Sequence, residues 1–199
     1  VGASLSLTMT VEAPEADSYE DDNVYAINTT NVTDGVYATE NLTEITKGTG
    51  SWGEPLSIGN VYTLVASDIL ESVTIGLAPA SEEEADLARK SIAVAIYNLD
   101  SEFNVGNMIC RKEFERGFGG LIDIAFDPMK LSAGKYYVEV QQLSTYNMGL
   151  GYDDSDATNY CYQNIDGKLS KTIGASLVVR ANFNSDLTVY AKDAALKAF

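Results

Sequence analysis

Between Asn23 and Phe183 the chain is cut into short β-like runs by turn residues that recur about every 8–12 positions. This spacing constrains the fold more than any other feature. The run "KYYVEVQQL" alternates, so Tyr136, Val138 and Val140 share one face and Tyr137, Glu139 and Gln141 the other. The first set is expected to be core. "SIAVAIYNL" is apolar on both faces, as a central strand is. In "LIDIAF", Ile122, Ile124 and Phe126 share a face. "ASLVVRANF" puts Leu177, Val179 and Phe183 together. "TDG" before Val36 and "IDGK" after Asn164 read as hairpin turns. Ten or more strands with no long helical period predict an all-β fold, a jelly-roll-like antiparallel β-sandwich with one short helical insertion. That helix is placed in "PASEEEADLARK", with Ser81 as its cap and Glu84 completing a capping box.

Three segments follow from the pattern. Residues 1–22 hold an N-terminal strand, "SLSLTMTVE", and an acidic linker. Residues 23–185 form the sandwich, and residues 186–199 a C-terminal strand or tail. The N-terminal strand pairs with its own domain or, by strand exchange through residues 1–11, completes a neighbour's sheet. The self-pairing is the plainer reading. The chain starts without an initiator Met or a basic leader segment, which reads as a processed or trimmed chain. Its longest apolar runs are too short for membrane insertion.

Composition excludes several activities. A net charge of −16 repels phosphate backbones, so no nucleic acid is expected as partner. Histidine is absent, which excludes a Ser-His-Asp triad, a Cys-His pair and His-ligated metals. Carboxylate-only chemistry survives that test. Yet acid pairs such as Asp123 and Glu139 do not differ from ordinary polar faces, so no catalytic residue is assigned and no enzyme is expected. Cys110 and Cys161 both sit in strand-like segments. A cross-strand disulfide and two separate buried thiols are both open readings.

Candidate binding residues lie in loops. Asp153, Asp154 and Asp156 in "YDDSDATN" can supply oxygen ligands for Ca²⁺, the one cofactor considered. The loop lacks the Gly and distal Glu of an EF-hand, and a solvated acidic loop is the plainer reading. "DSYEDDN", with Asp17, Glu20, Asp21 and Asp22, is a weaker version of the same idea. Trp52, Tyr146 and Tyr152 stand in Gly-rich or polar loops where an exposed ring can stack on a sugar, with Asn147 and Asp153 near in sequence to hold hydroxyls. The alternative is that Trp52 plugs the end of the sandwich and the tyrosines pack on strands. Asn28, Asn31 and Asn41 begin formal glycosylation sequons, which Thr-rich strands also produce by chance.

Trp52-Gly53, Ile96-Tyr97, Pro128, Leu131, Gly134-Lys135-Tyr136-Tyr137 and Gly149-Leu150-Gly151 form a series over residues 23–183. The series resembles the jelly-roll β-sandwich modules of secreted Bacteroidota proteins, of the kind found upstream of type IX secretion sorting domains. One departure is "YCYQNIDGKLSKT", where that pattern carries a Trp. The resemblance implies a non-catalytic secreted or cell-surface module for adhesion, display or assembly, exported past the outer membrane. Its partner would be a glycan or a protein at the cell surface. The alternative function is a carbohydrate-binding module, with or without calcium.

Overall fold

The computed structural model describes residues 3–5, 8–10, 24–26, 30–33, 35–80, 85–155, 160–172 and 174–184. The N-terminal strands are β1 (Ala3–Leu5), β2 (Thr8–Thr10), β3 (Val24–Ala26), β4 (Thr30–Thr33) and β5 (Val36–Ala38). Then come β6 (Gly48–Thr49), β7 (Leu56–Leu64), β8 (Asp68–Leu77) and the helical turn α1 (Ala85–Ala88). The central run is β9 (Ser91–Leu99), β10 (Val105–Glu115), β11 (Gly120–Leu131) and β12 (Gly134–Gln142). The last are β13 (Leu150–Asp153), β14 (Tyr162–Ile165), β15 (Lys168–Lys171), β16 (Ser176–Leu177) and β17 (Val179–Phe183).

These strands build the expected antiparallel sandwich. One sheet runs β10-β9-β12-β7-β14-β15. The other runs β1-β4-β5-β17-β8, with β11 on the far side of β8. Near the end of β8, β13 enters and pairs with β16 and β6. Val178 marks the fork: its carbonyl accepts from Gly76 N and its N–H donates to Gly151 O. Successive strands from β7 to β13 mostly cross from one sheet to the other, the habit of a jelly roll. β2 and β3 form a separate two-stranded ribbon.

The core lies between the sheets. It takes Ile58, Tyr62 and Leu64 from β7, Ile92, Val94 and Ile96 from β9, and Tyr136, Val138 and Val140 from β12. Facing them are Leu70, Val73, Ile75 and Leu77 from β8 with Leu177, Val179, Ala181 and Phe183. Each such aliphatic side chain, fully buried, contributes about 1.5–3 kcal/mol. β12 is central, with every residue from Lys135 to Gln142 paired on both sides.

The outer face of this sheet is also covered. Tyr137, Tyr162 and Leu169 form a second cluster with Val61, Tyr97, Leu99, Phe103 and Val105. The β14–β15 hairpin produces it. Its two-residue turn uses Asp166 at φ 52° and Gly167 at φ 84°, the left-handed pair that a tight hairpin requires. The turn reaches the β9–β10 loop, where Val105 N donates to Gly167 O (2.7 Å) and Leu169 N to Phe103 O (3.0 Å). The sheet thereby curls over its own outer face.

Several expectations change. Pro128 lies inside β11, where the register against β8 shifts between Ala125 and Met129. A bulge leaves residues without ladder partners, so a missing N–H costs nothing there. The stretch "PLSIG" supplies residues 56–59 of β7 because Glu139–Gln142 pair with it. "SLSLTMTVE" contributes to two strands, β1 and β2, rather than one, and "NVYAINTTNV" to β3 and β4. β1 pairs with β4 of the same chain. Ser81 and Glu84, the cap residues, lie outside the described residues, as do Asp17, Glu20, Asp21, Asp22, Asn28 and the tail from 185. Both cysteines are free, which removes the disulfide reading. Cys110 is on β10 and Cys161 precedes β14, and β9, β12 and β7 lie between those strands.

Candidate functional site at the loop end

β12 leaves its sheet at Gln142, which continues the core-facing phase of Tyr136, Val138 and Val140. A polar side chain there must find partners, because an unpaired buried amide costs about 1–3 kcal/mol. Gln142 finds five. Its Nε2 donates to the carbonyls of Ser51 (2.9 Å), Glu54 (3.0 Å) and Ser144 (2.9 Å). Its Oε1 accepts from Ser51 N (3.1 Å) and Met148 N (3.0 Å). One side chain therefore ties the loop after β6 to the loop after β12. Gly53 N joins them again through Thr145 O (2.8 Å). Gly50 has no room for a side chain, since a Cβ would lie 2.4 Å from Asn147 Oδ1 and 2.8 Å from Gln142 Oε1.

Arg116 is the second hub and is buried. Its Nε donates to Met148 O (2.7 Å), Nη1 to Gly117 O (2.8 Å) and Nη2 to Ala78 O (2.5 Å). Its backbone N–H donates to Lys90 O (2.9 Å), and Gly117 N to Ala88 O (2.8 Å). Met148 is thus held at its N–H by Gln142 and at its carbonyl by Arg116. The guanidinium is satisfied by carbonyl dipoles converging from several loops.

On this frame stand two aromatic rings. Trp52 is 71% exposed and Tyr146 45% exposed. Their centroids are 6.2 Å apart with planes at 62°, an edge-to-face pair. Lys90 places its Nζ 4.6 Å from the Tyr146 centroid, within cation–π range. Leu143, 38% exposed, adds apolar surface on the same loop. Large rings left in water on a pinned backbone present a flat, partly apolar surface.

The other predicted residues fall elsewhere. Trp52 does not plug the sandwich. Asn147 Oδ1 accepts from Gly149 N (2.8 Å), so this atom shapes the turn. Tyr152 is half-buried against the core and has a ring contact with neither Trp52 nor Tyr146; its neighbour is Lys47, with Nζ 6.0 Å from the ring centroid. Asp153 Oδ1 accepts from Ser155 N (2.9 Å). Asp154 already has a cation, Lys47 Nζ, at 2.7 and 2.8 Å from its two oxygens, and that ammonium holds its carboxyl below the usual range. Asp156 lies outside the described residues. Among the described residues no group of three His, Cys, Asp or Glu side chains could hold a metal ion.

Asp123 and Glu139 sit on different sheets. Asp123 Oδ1 accepts from Thr74 Oγ1 (3.1 Å) and Asn182 Nδ2 (3.2 Å) on an exposed face. Glu139, 2% exposed, accepts from Gln141 Nε2 (2.6 Å), and burial raises its pKa. Burial likewise pushes the Cys110 thiol up to about 11, which disfavours the nucleophilic thiolate. The missed residues are Gln142, Arg116 and Lys90. Gln142 alone carried a readable signal, a polar residue in the core phase of its strand.

No helix among the described residues is long and apolar enough to cross a membrane. No protein-family model matches the chain, and no curated protein matches it either. Solved structures share its fold. The clostridial cysteine protease Cwp84 after propeptide cleavage superposes with a TM-score of 0.55 at 14% identity, covering 85% of this chain and 47% of that one. A structure of the cysteine protease and lectin-like domains of Cwp84, a surface layer associated protein of Clostridium difficile, gives 0.51 at 14% identity, covering 85% and 42%. This chain spans less than half the length of each, and at this identity the likeness extends to the fold alone.

Proposed function

We propose that this chain is a non-catalytic β-sandwich module of a secreted or cell-surface protein, and that its loop end binds carbohydrate. The observation that carries the reading is Trp52: a large ring 71% exposed, on a backbone pinned by the buried Gln142. Burial is the ordinary fate of such a ring, so leaving it in water on a rigid loop is the mark of a contact surface. A sugar ring offers an apolar face to the indole and hydroxyls to the surrounding backbone. The lectin-like domains named for one fold neighbour, and its association with a surface layer, support the same reading. The motif series from Trp52 to Gly151 supports secretion and display in the manner of the Bacteroidota modules; a sorting domain downstream in the parent protein is the check on that part. Glu139 is buried away from Asp123, which removes the acid pair considered for hydrolysis.

A glycan array probed with the chain and with Trp52→Ala tests the reading. Binding to a glycan that the substitution abolishes, with the melting temperature unchanged, is the expected result. An array without hits, or hits indifferent to Trp52, would refute it.

A further inference from the structure

We infer that the glycan is acidic, and that Lys90 binds its carboxylate or sulfate beside the Trp52 platform. The inference rests on the carbohydrate reading above and gives it a substrate class. Lys90 is fixed at its root from two directions: its N–H donates to Leu87 O (3.0 Å) and its carbonyl accepts from Arg116 N (2.9 Å). Its ammonium lies 4.6 Å from the Tyr146 centroid, and Tyr146 lies 6.2 Å from Trp52. The cation is therefore no farther from the indole than those two steps together, a span that a short glycan covers. Among the described residues Lys90 belongs to no salt bridge, whereas Arg180, Lys47 and Arg111 each hold a carboxylate. A cation resting on an exposed ring keeps N–H donors for a second partner.

The whole-chain charge sharpens the point. At −16 the long-range field repels anions, so an acidic ligand needs a fixed local cation at the contact. Tyr146 serves as the ledge that holds Lys90 at the rim, while the indole of Trp52 is left for stacking.

The test measures affinity for three probes: an oligogalacturonate, its carboxyl-reduced neutral counterpart, and a sulfated galactan. One of the acidic probes should bind about tenfold more tightly than the neutral one, and which of the two does so separates carboxylate from sulfate. Lys90→Gln should erase that preference. Lys90→Arg should keep it, and Lys135→Gln, whose ammonium lies over Phe103 instead, should not alter it. Equal binding of acidic and neutral probes, or a preference that survives Lys90→Gln, would overturn the inference while the carbohydrate reading stands. Binding of no glycan at all overturns both.

Discussion

Two aromatic groups in this molecule use similar side chains to opposite ends. On the outer face of the β12 sheet, Tyr97 and Tyr137 lie 6.3 Å apart, Phe103 stacks on Tyr162 at 6.1 Å, and Lys135 Nζ sits 4.2 Å over Phe103. At the loop end, Trp52 meets Tyr146 at 6.2 Å and Lys90 Nζ sits 4.6 Å over the ring. The first group is closed over by a hairpin, and Tyr137 is fully buried. The second is propped up from below by Gln142 and left open. Aromatic–aromatic and cation–aromatic contacts therefore do not distinguish a core from a binding surface. What distinguishes them is whether a later strand folds across the rings. Covered rings stabilise the fold; uncovered rings on a rigid base offer contact area.

The comparison breaks most visibly at Tyr137. Tyr137→Ala should cost about 3–5 kcal/mol in urea denaturation, since it empties the centre of the covered cluster and leaves the Tyr162 carbonyl without its phenol donor. A loss under about 1 kcal/mol would mean that the hairpin cover contributes little. Next is Gln142→Leu, which keeps the volume but strips five hydrogen bonds from the two loops. It should cost about 2–3 kcal/mol and loosen Trp52, visible as faster decay of its fluorescence anisotropy. Unchanged anisotropy would show that the loops are held by other means.

A smaller effect is expected at Glu139. Its pKa is raised in the folded state by burial, so ionisation opposes folding. The stability linked to it is fully present below the ordinary carboxylate pKa and is lost as pH rises through the folded value. Glu139→Gln should flatten this part of the stability profile, above the ordinary carboxylate pKa. A profile identical to wild type would exclude Glu139 as its source. Smallest in stability is Trp52→Ala, expected within about 0.5 kcal/mol of wild type because the ring is already in water. A large destabilisation there would make Trp52 a structural residue and erase the contrast between the two groups.

Much of the fold was legible because its signals are local. The Asp166-Gly167 turn is written in two residues whose backbone angles the tight hairpin demands. Alternation set the core face of β12, and "SIAVAIYNL" matches β9 residue for residue. Trp52 and Tyr146 were also legible as loop aromatics, but their pairing was not, because 93 residues stand between them and only sheet order brings them together. Tyr152 shares the same local signature and packs inward. Asp154 has the look of a metal ligand in sequence, and Lys47, distant in sequence, supplies its cation instead.

By itself the sequence determined the all-β class, the main hairpins and the buried side of the central strands, since periodicity and turn geometry act between near neighbours. Tertiary structure alone decided that β12 is covered on its second face, that Gln142 and Arg116 pin the loops, and which aromatic rings remain in water. The physical reason is that burial depends on which strand arrives last over a given face, and residues on that face do not encode the arrival.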